Sequence, residues 1–310
     1  MTKISKSFQL LHALCNVHGP SGNEIHVKNF ILDYVEKNKK NWKVQPQIIE
    51  GEMFQDSLIL VFGNPRTTIF AHMDSVGFTV RYLDQLVPIG SPETENGHIL
   101  TGSDSLGPIE CELVVDKNHN ARYKFGRAIE RGTDLVFKCN FREDEHYIQS
   151  CYMDNRLGIY SALRVAENLT DGAIVFSAWE EHGGGSVPYL IKYLYEKYEI
   201  NNTLVSDITW ITDGIHHGEG VVISLRDKNI PRRSYVEKII KIAAENNIPF
   251  QLEVEGFGSS DGREIQISPY PVNWCFIGAP EDHVHSPNEK VSKKDIQAMI
   301  DLYQVLMDKL

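Results

Sequence analysis

The chain has 310 residues, 42% hydrophobic and 24% charged, enough for a buried core in one large α/β domain or a domain with an insert. Its 31 Lys and Arg against 42 Asp and Glu leave a formal net charge of -11, which argues against nucleic acid as a partner because neutralising phosphates needs clustered cations. No stretch approaches the ~20 apolar residues of a membrane span, and the start MTKISKSFQLLHALCNVHG lacks the apolar core and cleavage site of a secretory signal. The five cysteines (Cys15, Cys111, Cys139, Cys151, Cys275) form no C-x-x-C, so free thiols in a soluble, cytoplasmic protein are expected.

In chain order, the pattern predicts helices over 8–15 and 24–36, joined by the turn Gly19-Pro20-Ser21-Gly22. Short apolar strands follow over 58–62 and 67–72. From residue 77 to 147 the character changes to short β-like runs (77–82, 111–115, 134–139) between Gly, Pro and Asn turns, which predicts an inserted β domain. After it come a helix over 156–169, a strand over 173–177, a helix over 187–198 and strands over 204–209 and 221–225. A helix over 235–246, strands over 250–254 and 272–277, and a final helix from Lys293 complete the chain. Such alternation implies an α/β fold with a mostly parallel central sheet flanked by helices. The predicted division is a discontinuous body, 1–76 and 148–310, around an insert of 77–147.

Candidate chemistry gathers at the ends of these strands. The run Thr67-Thr68-Ile69-Phe70-Ala71-His72-Met73-Asp74 ends polar, and period two puts His72 and Asp74 on one side. One imidazole could then bind a metal while the carboxylate of Asp74 orients it. Asp154 precedes a helix, where a cap explains it as well as a bridging carboxylate shared by two ions does. Glu180 and Glu181 follow the 173–177 strand and precede Gly183-Gly184-Gly185. Neighbouring side chains in extended backbone diverge, which suits one ligand, Glu181, and one general base, Glu180. Asp207 lies inside an apolar run where an unpaired charge is costly, whereas Asp213 sits in turn chemistry; Asp207 is the stronger ligand candidate. Near the end, His283 and His285 both lie within reach. Imidazole with carboxylate suits two divalent ions, zinc or cobalt first and manganese as a further candidate, which together can clamp a water and a carbonyl.

The segments Gly19-Pro20-Ser21-Gly22-Asn23-Glu24, Ala71-His72-Met73-Asp74, Asp154-Asn155-Arg156, Glu180-Glu181, Val205-Ser206-Asp207-Ile208-Thr209 and His283-Val284-His285-Ser286-Pro287 resemble those of the M42 metallopeptidases, the glutamyl, deblocking or tetrahedral aminopeptidases. The resemblance covers nearly the whole chain. It implies a zinc-peptidase-like fold in which His72, Asp154 and Asp207 hold one metal, Asp154, Glu181 and His285 hold the other, and Glu180 is the general base. It also selects His285, which stands in the family's His-Ser-Pro context, over His283, and it implies a homo-oligomer built through the insert. Many relatives follow the first motif with Asp-Glu, where this chain has Asp74-Ser75. The Gly258-Ser259-Ser260-Asp261-Gly262 turn resembles a family loop near the substrate but is left outside the expected catalytic set. The implied activity is removal of the first residue from short peptides. A deacylase of N-acyl amino acids and a metal-binding scaffold without turnover are the alternatives, and a retained base at Glu180 speaks against the scaffold.

Overall fold

The computed structural model describes residues 4–310. The first three residues of the 1–76 span lie outside it. Apolar runs with no side chain that needs water become strands covered on both faces, and Leu58–Phe62, Thr67–His72 and Gly172–Ser177 are buried at every position. Their side chains alternate between two cores. Leu60, Ile69, Ala71, Ile174 and Leu204 enter one, while Val61, Phe70, Val175 and Val205 enter the other. Helices Met153–Ala166, Arg233–Glu245 and Lys293–Lys309 cover the first core, and Val187–Tyr198 covers the second.

Among the described residues eleven strands form the large sheet. At its centre Gly172–Ser177, Thr67–His72, Asn202–Trp210 and Asn273–Asp282 run side by side and parallel. Val221–Arg226 and Phe250–Val254 form a further parallel pair. Antiparallel strands complete the margins, with Gln47–Ile49 and Leu58–Phe62 on one side and Glu289–Ser292, Tyr147–Ser150 and Arg142–Glu143 on the other. The sheet is therefore parallel where helical crossovers cover it and antiparallel at its edges, where short connections suffice. Since the central strands are parallel, their carboxyl ends converge on one edge. His72, Ser177, Asp207 and Asp282 all lie there, the region where sheets of this kind offer a binding crevice.

A second, antiparallel sheet of six strands has its own apolar centre at Phe78, Leu100, Leu113, Leu135 and Phe137. Its strands run from Gly77–Val80 to Asp134–Phe137. The chain has rejoined the large sheet by Arg142–Glu143 and Tyr147–Ser150, because the latter pairs with Glu289–Ser292. Return thus begins a few residues before position 148. No helix among the described residues is long and apolar enough to cross a membrane, and all five cysteines are free.

Candidate metal centre

His72 and Asp207 continue the faces begun by Phe70 and Val205, so the two neighbouring parallel strands aim them at the same space. Asp154 reaches that space from the interrupted start of the helix Met153–Ala166. At Asp154 (φ -77, ψ 105) and Asn155 (φ -119, ψ 37) the backbone is not helical, which frees the Asp154 carboxylate from capping. Its partners are imidazoles. His72 Nε2 stands 3.0 Å from Asp154 Oδ1 and 3.5 Å from Asp207 Oδ2, and His285 Nε2 stands 3.3 Å from both Asp154 Oδ2 and Glu181 Oε2. Asn155 holds this break in place by donating to the Ser206 carbonyl at 2.8 Å and accepting from the Gly158 N–H at 2.8 Å. A side chain at Gly158 would collide with both Asn155 and the Ser206 carbonyl, so helix and strand can approach this closely only with glycine there.

Two donor groups result, His72 with Asp154 and Asp207, and Asp154 with Glu181 and His285; in each, one ligand atom per residue lies within 4.8 Å of the others. They share Asp154. Glu181 Oε1 is buried without a hydrogen-bond partner, and five carboxylates, buried at Asp74, Asp154 and Asp207 and half-buried at Glu180 and Glu181, face two imidazoles. Uncompensated buried carboxylates cost several kcal/mol each, and divalent cations would neutralise this surplus, so the residues present fit a pair of such ions. The electrostatics agree in direction. Burial raises Glu180 and Glu181 well above the ordinary carboxylate range, each reinforced by a neighbouring acid. Burial also opposes charge on His285, yet Asp154 overcomes it and lifts that imidazole to about 9.

Supporting contacts come from distant parts of the chain. His72 Nδ1 lies 3.4 Å from Asp74 Oδ1, so this carboxylate faces the ring from the side away from Asp154. Asp74 does a second job that sequence spacing did not reveal: its oxygens accept the Glu180 N–H at 3.1 Å and the Glu181 N–H at 3.0 Å, and Ser21 donates to it at 2.6 Å. Glu24 accepts the Trp179 N–H at 3.0 Å, and Ser186 accepts the Ala178 N–H at 2.8 Å. Gly183 and Gly184 follow at φ 118 and 68, and a side chain at Gly184 would meet Glu264. His285 Nδ1 faces the Ser91 hydroxyl at 2.9 Å and the Ser91 carbonyl at 3.2 Å, so a proton held on Nδ1 toward the carbonyl would leave Nε2 free for a metal. Buried Glu289 accepts from the Asp154 N–H at 3.2 Å and the His285 N–H at 3.0 Å. Ser260 donates to Asp207 at 2.6 Å, and Ser177 donates to Asp261, which burial pushes up to about 7.

Glu180 belongs to neither donor group, although its Oε2 is 3.9 Å from His72 Nε2. It lines a cavity of about 440 Å³ together with Asp154, Glu181, Asp207 and His285. Asp213 and His283 are exposed and in neither group. Glu24, Glu289, Ser260 and Asp261 were not singled out from sequence as parts of the site. Glu289 opens the short strand Glu289–Ser292, whose polar sequence EKVS gave no sign of its burial.

The family model described as M42 glutamyl aminopeptidase matches residues 87–302. A curated lysyl aminopeptidase of Pyrococcus furiosus is 25% identical over 293 residues, spanning 79% of this chain and 82% of its own. Among solved structures, an aminopeptidase from the archaeon Desulfurococcus kamchatkensis superposes with a TM-score of 0.86 at 21% identity, covering 98% of this chain and 95% of its own. The TET1 peptidase of Pyrococcus horikoshii, described as assembling into a tetrahedron or a large octahedral shell, gives 0.83 at 18% identity and covers 98% of this chain and 100% of its own. At these identities the structural likenesses establish the shared fold.

Proposed function

The chain belongs to the M42 glutamyl aminopeptidase family, and from that premise we propose how its residues divide the work of removing the first residue from a short peptide. It is a metal-dependent hydrolase of peptide bonds. His72, Asp154 and Asp207 would hold one divalent ion, and Asp154, Glu181 and His285 the other, with zinc or cobalt preferred and manganese a further candidate for this mix of nitrogen and oxygen donors. When bound, such a pair supplies Lewis-acid polarisation of the scissile carbonyl and makes water a stronger acid.

The remaining steps fall to side chains. Glu180, beside both groups yet in neither, takes the proton of the attacking water on its carboxylate and returns it to the departing amine. Asp74 keeps the His72 ring oriented and holds the Glu180 and Glu181 backbone, so the base does not have to be repositioned in each turnover. The observation that carries this reading is the pair of donor groups sharing Asp154 with Glu180 left over. Aminoacyl amides, free peptides and N-blocked peptides, presented to metal-loaded protein, test it: hydrolysis confined to substrates with a free amino terminus is expected, and preference for N-acyl amino acids would point to a deacylase.

Self-association through the insert 77–147, set on a body of 1–76 and 148–310, belongs to the same reading. It is supported by the assembly described for the Pyrococcus horikoshii relative. Sedimentation of the protein with and without the insert's exposed Leu83 and Leu106 changed to Ser measures it. A cytoplasmic location accords with five unpaired thiols.

A further inference from the structure

Beyond the donor groups, the wall of the cavity is acidic. Asp227, Glu253 and Glu255 line it, and Glu253 and Asp227 are only 4% and 8% exposed. Among the described residues the sole cation on that wall is Arg263, which pairs through Nη1 with Glu264. Arg226, next in sequence to Asp227, lies outside the lining and turns its Nε to the Asp227 carbonyl at 3.1 Å. Glu253 receives the Thr209 hydroxyl, and Thr209 shares a strand face with Asp207 two residues earlier, which places this carboxylate one step along from the donor groups. Independently of that cluster, Asp261 lines the same cavity at 1% exposure with Oδ1 lacking any hydrogen-bond partner. Trp210 and Phe276 provide apolar surface beside these acids, suited to the methylene stem of a long side chain.

We propose that the cavity takes peptides whose first residue carries a cationic side chain, lysine or arginine, and that Glu253 and Asp227 are the specificity-determining residues. The proposal rests on the aminopeptidase reading given above. A cationic head gives buried carboxylates the counter-charge the protein does not supply, whereas an acidic first residue adds like charge to a wall that has no free cation to meet it. A neutral leucine fills the apolar surface but brings the acids no cation, leaving Glu253 with the Thr209 hydroxyl and Asp227 with Asn229 as neutral partners.

Two measurements decide it. In metal-loaded protein, kcat/KM for lysine and arginine amides is expected to exceed that for leucine amide by about 10- to 100-fold, with glutamate amide slowest. Glu253→Gln with Asp227→Asn should lower the lysine-to-leucine ratio by about tenfold. Should the buried pair not tolerate change, Glu255→Gln, at a less buried position, should lower the same ratio by a smaller factor. Leucine or glutamate amide as the best substrate, or a ratio indifferent to all three changes, overturns the proposal. Calorimetric binding of lysine amide against glutamate amide to Glu180→Gln protein separates the two levels of the argument. Absence of hydrolysis for every amide would count against the aminopeptidase reading, while the order of binding still confirms or refutes the preference.

Discussion

Two walls of one cavity are built in opposite ways. On the side of Glu180, four successive backbone N–H groups, Ala178 to Glu181, are each held by a side chain, from Ser186, Glu24 and twice from Asp74, and all three acceptors are buried. On the facing side, the turn from Glu255 to Ser259 carries Phe257 at 77% exposure and is tied down by a few backbone contacts, such as Lys228 N–H to the Gly258 carbonyl at 3.3 Å. The contrast separates two demands. A proton-transfer group must be held within fractions of an ångström of its reacting partner, whereas a wall that meets varied side chains can sit on a loop.

Variants that attack each wall should therefore fail differently. Chelation of the metals removes activity altogether, and His285→Ala should lower metal occupancy at one group, read by metal analysis alongside turnover. Next in size is Glu24→Ala. It frees the Trp179 N–H in the interior and loosens the residue just before Glu180, so kcat should fall by about 10- to 100-fold at unchanged metal content. Glu24→Gln keeps an acceptor oxygen and should restore most of that loss. Equal activity in the alanine variant would mean the pinned wall is not what positions the base. Smallest is Phe257→Ala on the facing wall. KM for amides with large first residues should rise by less than about tenfold while kcat stays level, since an exposed ring on a turn contributes binding and not chemistry. A large drop in kcat there would erase the distinction between the walls.

Much of the architecture was legible in the sequence because apolar runs such as Thr67–His72 bury every residue and leave little room for another reading. Less legible were the strands of the second sheet from Leu86–Ile89 to Ile99–Asp104, whose alternation is broken by exposed positions, and the return of Arg142–Glu143 to the large sheet. In the candidate centre, a polar group could be picked out by its oddity against an apolar run, at the end of one for His72 and inside one for Asp207. Asp154 was ambiguous, since a carboxylate before a helix suits a cap; the non-helical backbone at Asp154 and Asn155 resolves this by turning the group toward two imidazoles. Glu24, Asp261 and Glu289 act on residues 84 to 155 positions away or across a local strand turn, and their side chains reveal their partners only once the chain is folded.

The central claim is that adjacent acids divide the work, with Glu181 on a metal and Glu180 on the proton. It is tested most directly by measuring metal content and turnover together in Glu180→Gln. Full occupancy of both ions with kcat reduced by about 100- to 10,000-fold is the predicted result. Normal turnover, or loss of metal in parallel with activity, would contradict it.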